Sequence, residues 1–125
     1  MNDVTAREIQ RRHLQWYMGK SLDGFCPMGP YIVTKDEVDH KNLSLKSFVN
    51  GELRQSSNTS QQIFDIAYVI EELSHMITLQ KGTIIATGTP SGVGAGFTPP
   101  KTLKPGDEVV CEIEGIGRLT NIVGK

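Results

Sequence analysis

The sequence predicts an α+β fold composed mainly of β-strands. Two observations support this prediction. Strand-like segments occur in hairpin-like pairs, the clearest one around Asn50-Gly51, and only two segments have helical periodicity. Because the strands follow one another instead of alternating with helices, a doubly wound parallel sheet is disfavoured. A chain of 125 residues has the length of a single domain.

The first predicted helix runs from Thr5 to about Met18. Apolar and aromatic side chains along this segment form one mixed face, and Asp3 or Thr5 is suited to the N-cap position. Gly19 is suited to end the helix, because glycine readily adopts the backbone conformation found after a helix.

A proline-rich turn at 26–30 then leads into a short predicted strand at 31–33, which contains two β-branched residues. The next pair of strands flanks Asn50-Gly51. This dipeptide favours the tight turn that joins two antiparallel strands. We therefore expect a hairpin centred on these two residues.

The second predicted helix extends from about Ser60 to Leu79. Thr59 and Gln62 fit a capping box at its start, and Gly82 is expected to end it. Apolar residues recur at steps of three and four, as on one face of a helix: Ile63, Ile66, Ala67, Ile70, Leu73 and Ile77.

Three further strands are expected in the last third of the chain. The first is a compact strand at 83–87, which Gly88 ends. The turn Pro105-Gly106-Asp107 precedes the second, at 108–113, where apolar and polar residues alternate. A glycine-containing turn at 115–117 then leads into a closing strand at 118–123.

Composition and charge exclude several classes of function. The 13 basic and 14 acidic residues give a net charge of −1, which argues against nucleic-acid and anionic-membrane partners. No apolar run approaches the length that a bilayer span requires, and the first residues do not resemble a signal peptide. Two widely separated cysteines, Cys26 and Cys111, exclude a disulfide framework and indicate reduced thiols in a cytoplasmic protein.

Asp3, Arg7 and Gln10 form the first candidate site. If Asp3 lies at the mouth of the first helix, Arg7 and Gln10 lie one turn apart on the same helix face and point to one spot. A carboxylate, a guanidinium and an amide together suit an oxygen-rich ligand and a hard metal ion. The alternative is a capping aspartate beside a solvated arginine and glutamine.

Two further segments carry candidate binding groups. Lys20 lies between a helix end and a glycine-containing turn, where its ammonium group is able to contact a substrate oxyanion, or simply solvent. The segment 87–96 contains four glycines and two threonines, so it exposes backbone N–H groups and hydroxyls that suit an anion, or forms a plain loop. It has neither a P-loop nor a dinucleotide-binding spacing. The three histidines lack metal-ligand spacing, and Ser91 has no nucleophile-elbow context.

Taken together and in this order, these segments resemble the fumarylacetoacetate hydrolase family over essentially the whole chain. Three motifs carry the resemblance: residues 2–10, NDVTAREIQ; residues 20–30, KSLDGFCPMGP; and residues 87–94, TGTPSGVG. Asn50-Gly51 and the strand entry at Pro105-Gly106-Asp107 also match the family's pattern.

The resemblance implies a mixed β-roll, usually homodimeric, with Mg²⁺ or Mn²⁺ bound by carboxylates. Members cleave C–C bonds in diketo acids, as in the catabolism of aromatic compounds, or decarboxylate, tautomerise or isomerise oxo acids through a metal-stabilised enolate. The resemblance also assigns roles. Asp3 becomes a metal ligand, Lys20, Arg7 and Gln10 become catalytic, and the substrate is bound by Thr89, Gly88, Arg7 and Gln10.

The chain departs from the family's pattern at its start. In the family a Glu-x-Glu pair of metal ligands and a His/Glu base pair precede the Asn-Asp motif, which here is Asn2-Asp3. Glu112-Ile113-Glu114 has the right letters at the wrong end of the pattern. We therefore expect residues 1–125 to be the C-terminal portion of one catalytic domain, with a β-roll incomplete on its N-terminal side and an isolated chain that is inactive. The alternative is a non-catalytic fragment that acts as a structural or dimerisation module.

Overall fold

A computed structural model describes residues 1–124 and contains two α-helices and four β-strands. Three short 3₁₀ helices, at Trp16–Gly19, Thr59–Gln61 and Gly94–Gly96, lie in the connections. The α-helices and strands, in chain order, are α1 (Arg7–His13), β1 (Ser44–Val49), β2 (Glu52–Asn58), α2 (Ile66–Ser74), β3 (Glu108–Ile113) and β4 (Gly117–Ile122). The expected α+β class with a predominance of strands is confirmed.

The four strands form one antiparallel sheet in the order β2-β1-β3-β4. Ser47 lies opposite both Gln55 and Cys111, and Val109 lies opposite both Val49 and Asn121. Since side chains alternate between the two faces along a strand, these six residues share one face of the sheet, here called face A: Ser47, Val49, Gln55, Val109, Cys111 and Asn121.

The predicted hairpin is confirmed. Asn50 and Gly51 both have positive φ, 50° and 79°, as the preferred two-residue hairpin turn requires. The Asn50 side chain also reaches the next turn, because its amide nitrogen donates to Asp107 at 2.9 Å and its oxygen accepts from the backbone N–H of Glu108 at 2.9 Å. The turn at 105–107 and the strands on either side of 115–117 are likewise as expected.

The first helix is shorter than the sequence predicts, and its predicted cap is wrong. Helix α1 begins at Arg7, its N-cap position is Ala6, and no side chain caps it. It ends before Leu14, whose φ of 54° reverses the chain five residues before Gly19, the residue expected to end the helix. A 3₁₀ helix replaces the predicted last turn.

The second helix is also shorter than predicted, and side-chain hydrogen bonds determine where it begins. Asp65 caps α2 by accepting from the backbone N–H of Tyr68 at 2.8 Å, so the helix begins after the predicted capping box. The hydroxyl of Thr59, the predicted cap, accepts instead from the N–H of Leu43 at 2.8 Å. At its other end α2 stops at Ser74, well before Gly82.

Two predicted strands, at 31–33 and at 83–87, have no strand hydrogen bonding within residues 1–124. Both segments contain β-branched residues, but a strand exists only where a neighbouring strand accepts its hydrogen bonds. Local sequence preference supplies the side chains and cannot supply that neighbour.

Few residues are buried within residues 1–124. Val109, at 7% exposure, is the one buried hydrophobic residue among them, and it lies on face A. Along α2 and the turn before it, large apolar side chains remain exposed, including Ile63, Phe64, Tyr68 and Ile70. None of the helices that the structure describes has both the length and the apolar character needed to cross a membrane.

Candidate active site

Asp3 and Lys20 lie in direct contact at one end of the candidate site. The Lys20 ammonium group donates to the Asp3 carboxylate and, at 3.1 Å, to the hydroxyl of Thr5. The side chains of Lys20 and Asp3 are 31% and 36% exposed, so a ligand can reach both from solvent. Asp3 therefore does not cap α1, and the alternative interpretation of this residue as a helix cap is wrong.

Gly19 brings Lys20 into this position. Its carbonyl oxygen accepts from the N–H of Ala6 at 2.8 Å, so the end of the 3₁₀ helix packs on the start of α1. A Cβ atom at Gly19 would lie 2.9 Å from both the carbonyl oxygen of Ala6 and the Cβ of Gln10. Only a glycine permits this approach without a shift of backbone.

Arg7 and Gln10 lie on one face of α1, as their spacing predicts. The guanidinium Nη1 of Arg7 donates to the Gln10 side-chain oxygen at 2.9 Å. Gln10 is only 8% exposed, and its Cβ faces Gly19, the residue before Lys20. The predicted picture of a solvated arginine and glutamine is therefore wrong for Gln10. Four further N–H donors of Arg7 remain beyond the bond to Gln10.

Asn2 anchors this segment to the sheet, a role that the sequence analysis did not assign. It is 9% exposed, its backbone N–H donates to the carbonyl of Pro27 at 3.0 Å, and its side chain donates to Asn121 of β4 at 3.3 Å. A buried amide with partners far along the chain fixes the position of its neighbour Asp3. In the sequence, the one indication of this role was the position of Asn2 directly before Asp3 in the first motif.

Thr89 and Gly88 lie in a glycine-rich segment, residues 88–96, here called the glycine loop. Both residues are exposed. The amide nitrogen of Gln55 on β2 donates to the Thr89 hydroxyl at 2.8 Å and to the Pro90 carbonyl at 2.9 Å. Gly92 lies so close to β2 that a Cβ there would come within 2.0 Å of the Arg54 carbonyl oxygen.

The two halves of the candidate site lie on the same face of the sheet but at opposite edges. Asn2 binds Asn121 of β4, whereas Thr89 binds Gln55 of β2, and both partners belong to face A. The edge strands are three strand spacings apart, about 14 Å. Among residues 1–124 no hydrogen bond joins the Asp3–Lys20 pair to the glycine loop.

Cys111 and the other candidate groups add no second centre within the part of the chain described. Burial on face A raises the pKa of the Cys111 thiol, which makes it a poor nucleophile at neutral pH. The three histidines are exposed, and Glu112 forms an ion pair with Arg118. Residues 1–124 contain no group of three or more His, Cys, Asp or Glu side chains arranged to bind a metal ion. Asp3 alone offers one carboxylate, so these residues do not by themselves form a complete metal site.

Comparison with known proteins identifies the family to which this chain and its fold belong. The family described as "Fumarylacetoacetate (FAA) hydrolase C-terminal" matches residues 1–124. The chain belongs to the fumarylacetoacetate hydrolase family and corresponds to the C-terminal part of its catalytic domain, as the motifs predict.

Individual relatives support the same assignment. An oxaloacetate tautomerase from Bacillus subtilis (strain 168) is 54% identical over 99% of this chain and 42% of its own length. A fumarylacetoacetate hydrolase from Exiguobacterium antarcticum superposes with a TM-score of 0.95 at 51% identity, over 98% of this chain and 44% of that one. A 5-carboxymethyl-2-hydroxymuconate delta-isomerase from Mycobacterium smegmatis superposes with a TM-score of 0.87 at 46% identity, over 98% of this chain and 45% of that one. The chain thus spans less than half the length of these relatives, which are isomerases and hydrolases.

Proposed function

We propose that this chain forms the C-terminal part of an enzyme that acts on a diketo acid or a 2-oxo mono- or dicarboxylic acid through an enolate. One observation carries the proposal: the Lys20 ammonium group is bound to the Asp3 carboxylate where solvent reaches both, and Gly19, next to Lys20, packs on Gln10 of the Arg7–Gln10 pair. The two cationic groups, Lys20 and Arg7, complement the negative charges of an enolate and of a substrate carboxylate. The isomerase and hydrolase relatives support the same reaction class.

Lys20 has the chemistry to stabilise an oxyanion. When a carbon next to the carbonyl of an oxo acid loses a proton, negative charge develops on the carbonyl oxygen. A fixed ammonium group near that oxygen stabilises the charge most in the transition state. Asp3 and Thr5 orient the Lys20 ammonium, which reduces the reorganisation needed when the charge develops.

Arg7 suits a carboxylate of the substrate. Its bond to the nearly buried Gln10 fixes the guanidinium plane, and its other N–H groups stay available as a planar donor set. Gln10 thus acts here by orienting Arg7, and its own amide N–H group offers a further donor. On the opposite edge, Thr89 and Gly88 of the glycine loop provide a hydroxyl and a backbone N–H for the substrate's carboxylate.

For the metal, we propose Mg²⁺ or Mn²⁺, with Asp3 as one ligand. A single carboxylate does not bind such an ion tightly, so the remaining carboxylate ligands have to come from the portion of the relatives that this chain does not span. When bound, the ion supplies Lewis-acid polarisation of the substrate carbonyl. The isolated residues 1–125 are accordingly expected to be inactive.

We further propose that the complete enzyme is a cytoplasmic homodimer. The exposed apolar side chains of α2 and the preceding turn, among them Phe64 stacked on Tyr68 at 4.9 Å, form a surface that a second subunit or the rest of the polypeptide is expected to cover. Sedimentation equilibrium of the complete protein separates a dimer from a monomer.

A chimera tests the proposed function. In the Bacillus subtilis tautomerase, the 42% of the polypeptide that matches this chain is replaced by residues 1–125. We expect the chimera to tautomerise oxaloacetate in the presence of Mg²⁺ or Mn²⁺ and to lose turnover when the metal is chelated. A folded chimera with no metal binding and no turnover of oxaloacetate or a diketo acid would instead establish the non-catalytic structural module.

A further inference from the structure

Gln55 uses its whole side-chain amide in bonds that join the sheet to the glycine loop. Its nitrogen donates to the Thr89 hydroxyl at 2.8 Å and to the Pro90 carbonyl at 2.9 Å, and its oxygen accepts from the Ser47 hydroxyl at 2.9 Å. The orientation of the amide is determined by its partners. A carbonyl oxygen such as that of Pro90 only accepts, so the nitrogen of Gln55 has to face it.

This arrangement sets the direction of the hydrogen bond at Thr89. A threonine hydroxyl has one proton to donate, and at Thr89 the oxygen already accepts from Gln55. The proton of Thr89 is therefore free to point away from Gln55, into the solvent that reaches this exposed residue. A hydroxyl in this state is a donor, which is the form that a carboxylate oxygen accepts from.

The contact at Gly92 shows that the glycine loop has a fixed position on β2. The space between Gly92 and the Arg54 carbonyl admits no side chain, and the Gln55 Cγ lies 3.1 Å from where a Cβ would be. Gln55 thus contacts the loop both at Thr89–Pro90 and at Gly92. The β-bulge beside Ser47 and Phe48 lies next to the residue pair Ser47–Gln55.

We propose that Gln55 is a positioning residue that makes Thr89 a hydrogen-bond donor to a substrate carboxylate, with Ser47 fixing the Gln55 amide. This inference rests on the proposed function, because it takes the substrate to be an oxo or diketo acid. Gln55 does not itself contact the substrate in this scheme. Its effect passes through the hydroxyl of Thr89.

The test compares Gln55→Met with Thr89→Val in the chimera described above. Methionine keeps the length of the side chain and removes its donors and acceptor. We expect Gln55→Met to raise KM for oxaloacetate about 3- to 10-fold, the effect of one hydrogen bond, and to change kcat little. The double variant is expected to resemble Thr89→Val alone, because Gln55 acts through Thr89.

Gln61→Met is the matched control. Gln61 accepts from the Ser57 hydroxyl at 2.6 Å, so this variant removes another glutamine–serine bond at the end of β2 without touching the glycine loop. Its KM is expected to equal that of the parent chimera. The inference is overturned if the double variant raises KM by the product of the two single effects, or if Gln55→Met lowers kcat and leaves KM unchanged.

A binding measurement separates this inference from the proposed function. Calorimetric titration with oxalate, an unreactive dicarboxylate, is expected to show weaker binding for Gln55→Met by the same factor as KM. If the parent chimera turns over no oxo acid but binds oxalate about 3- to 10-fold more tightly than Gln55→Met does, the role of Gln55 stands and the proposed reaction fails. Equal oxalate affinity in the parent and Gln55→Met rejects the role of Gln55.

Discussion

The two edges of the sheet carry candidate site segments of opposite character. At the β4 edge, residues 2–20 concentrate charge, and each charged group of the candidate site has a side-chain partner: Asp3 binds Lys20, and Arg7 binds the neutral amide of Gln10. At the β2 edge, the glycine loop has no charged side chain and depends on Gln55 for its position. Under the proposed function, this difference means that the first segment supplies charged groups for electrostatic stabilisation, whereas the second supplies uncharged hydrogen-bond donors at fixed positions.

Both segments are attached to face A, but at opposite edges of the sheet. Their contributions can therefore be measured separately by substitutions at one edge or the other. Variants at the β4 edge are expected to change the chemical step, and variants at the β2 edge to change binding and stability. The predictions below refer to the chimera with the Bacillus subtilis tautomerase.

The largest effect is expected for Asp3→Ala. Removing this carboxylate removes the proposed metal ligand and the partner of Lys20, so metal-dependent turnover should fall to background. Steady-state assays at increasing Mg²⁺ or Mn²⁺ measure it. Glu71→Ala, which removes an exposed carboxylate from α2, is the control and should behave as the parent. Unchanged activity in Asp3→Ala would reject the assignment of Asp3.

Lys20→Ala is expected to lower kcat by about 100- to 1,000-fold, the usual effect of removing one donor to a developing oxyanion. Metal affinity, measured by calorimetric titration, should change much less, because an ammonium group is not a metal ligand. Lys81→Ala removes an exposed lysine elsewhere and is expected to have no effect. Weaker metal binding with an unchanged kcat is the pattern that contradicts this role.

Gly92→Ala should destabilise the β2 edge. The residue has a φ of 101°, and a Cβ would lie 2.0 Å from the Arg54 carbonyl oxygen, so the loop has to move away from β2. Backbone strain of this kind costs about 1–3 kcal/mol, measured as a lower Tm and accompanied by a higher KM. Gly96→Ala is the matched control, because its Cβ would meet only Val93, at 3.8 Å. Equal Tm values for the two variants would show that the loop is not fixed on β2.

The smallest effect is expected for the hydrogen bond between Asn50 and Asp107, which joins two turns of the sheet. The side-chain hydrogen bond from Asn50, and then the backbone N–H of Lys104, lower the pKa of Asp107 below its ordinary value of 3.8. A lowered folded-state pKa contributes stability that is present above 3.8 and is lost as the pH falls through the folded value. Asn50→Gly keeps the positive-φ turn and removes the bond.

We therefore expect Asn50→Gly to lower Tm slightly at neutral pH and progressively less below pH 3.8. Thermal unfolding followed by circular dichroism across this range measures the difference. In an Asp107→Asn background, Asn50→Gly should have an effect on Tm that no longer varies with pH. A pH-dependent effect that persists there would assign the titration to another carboxylate.

Local patterns in the sequence were sufficient for the features that depend on near neighbours. The Asn50-Gly51 hairpin, the strand at 108–113, the closing strand predicted at 118–123 and found at Gly117–Ile122, and the common helix face of Arg7 and Gln10 were each indicated by residues within a few positions of one another. The ordered motifs also identified the family, which the match over residues 1–124 confirms. The roles of the site residues stay predictions.

Features that depend on distant partners were decided by the tertiary structure. Thr59 does not cap α2, because its hydroxyl is taken by Leu43, 16 residues earlier. The segment 83–87 is not a strand, because no described strand lies beside it. No local pattern indicated a role for Gln55, because its partners Thr89 and Pro90 lie 34 and 35 residues away. The amino-acid sequence by itself determines hydrophobic periodicity and turn chemistry. The partner of a hydrogen-bonding group is determined only when folding brings distant residues together.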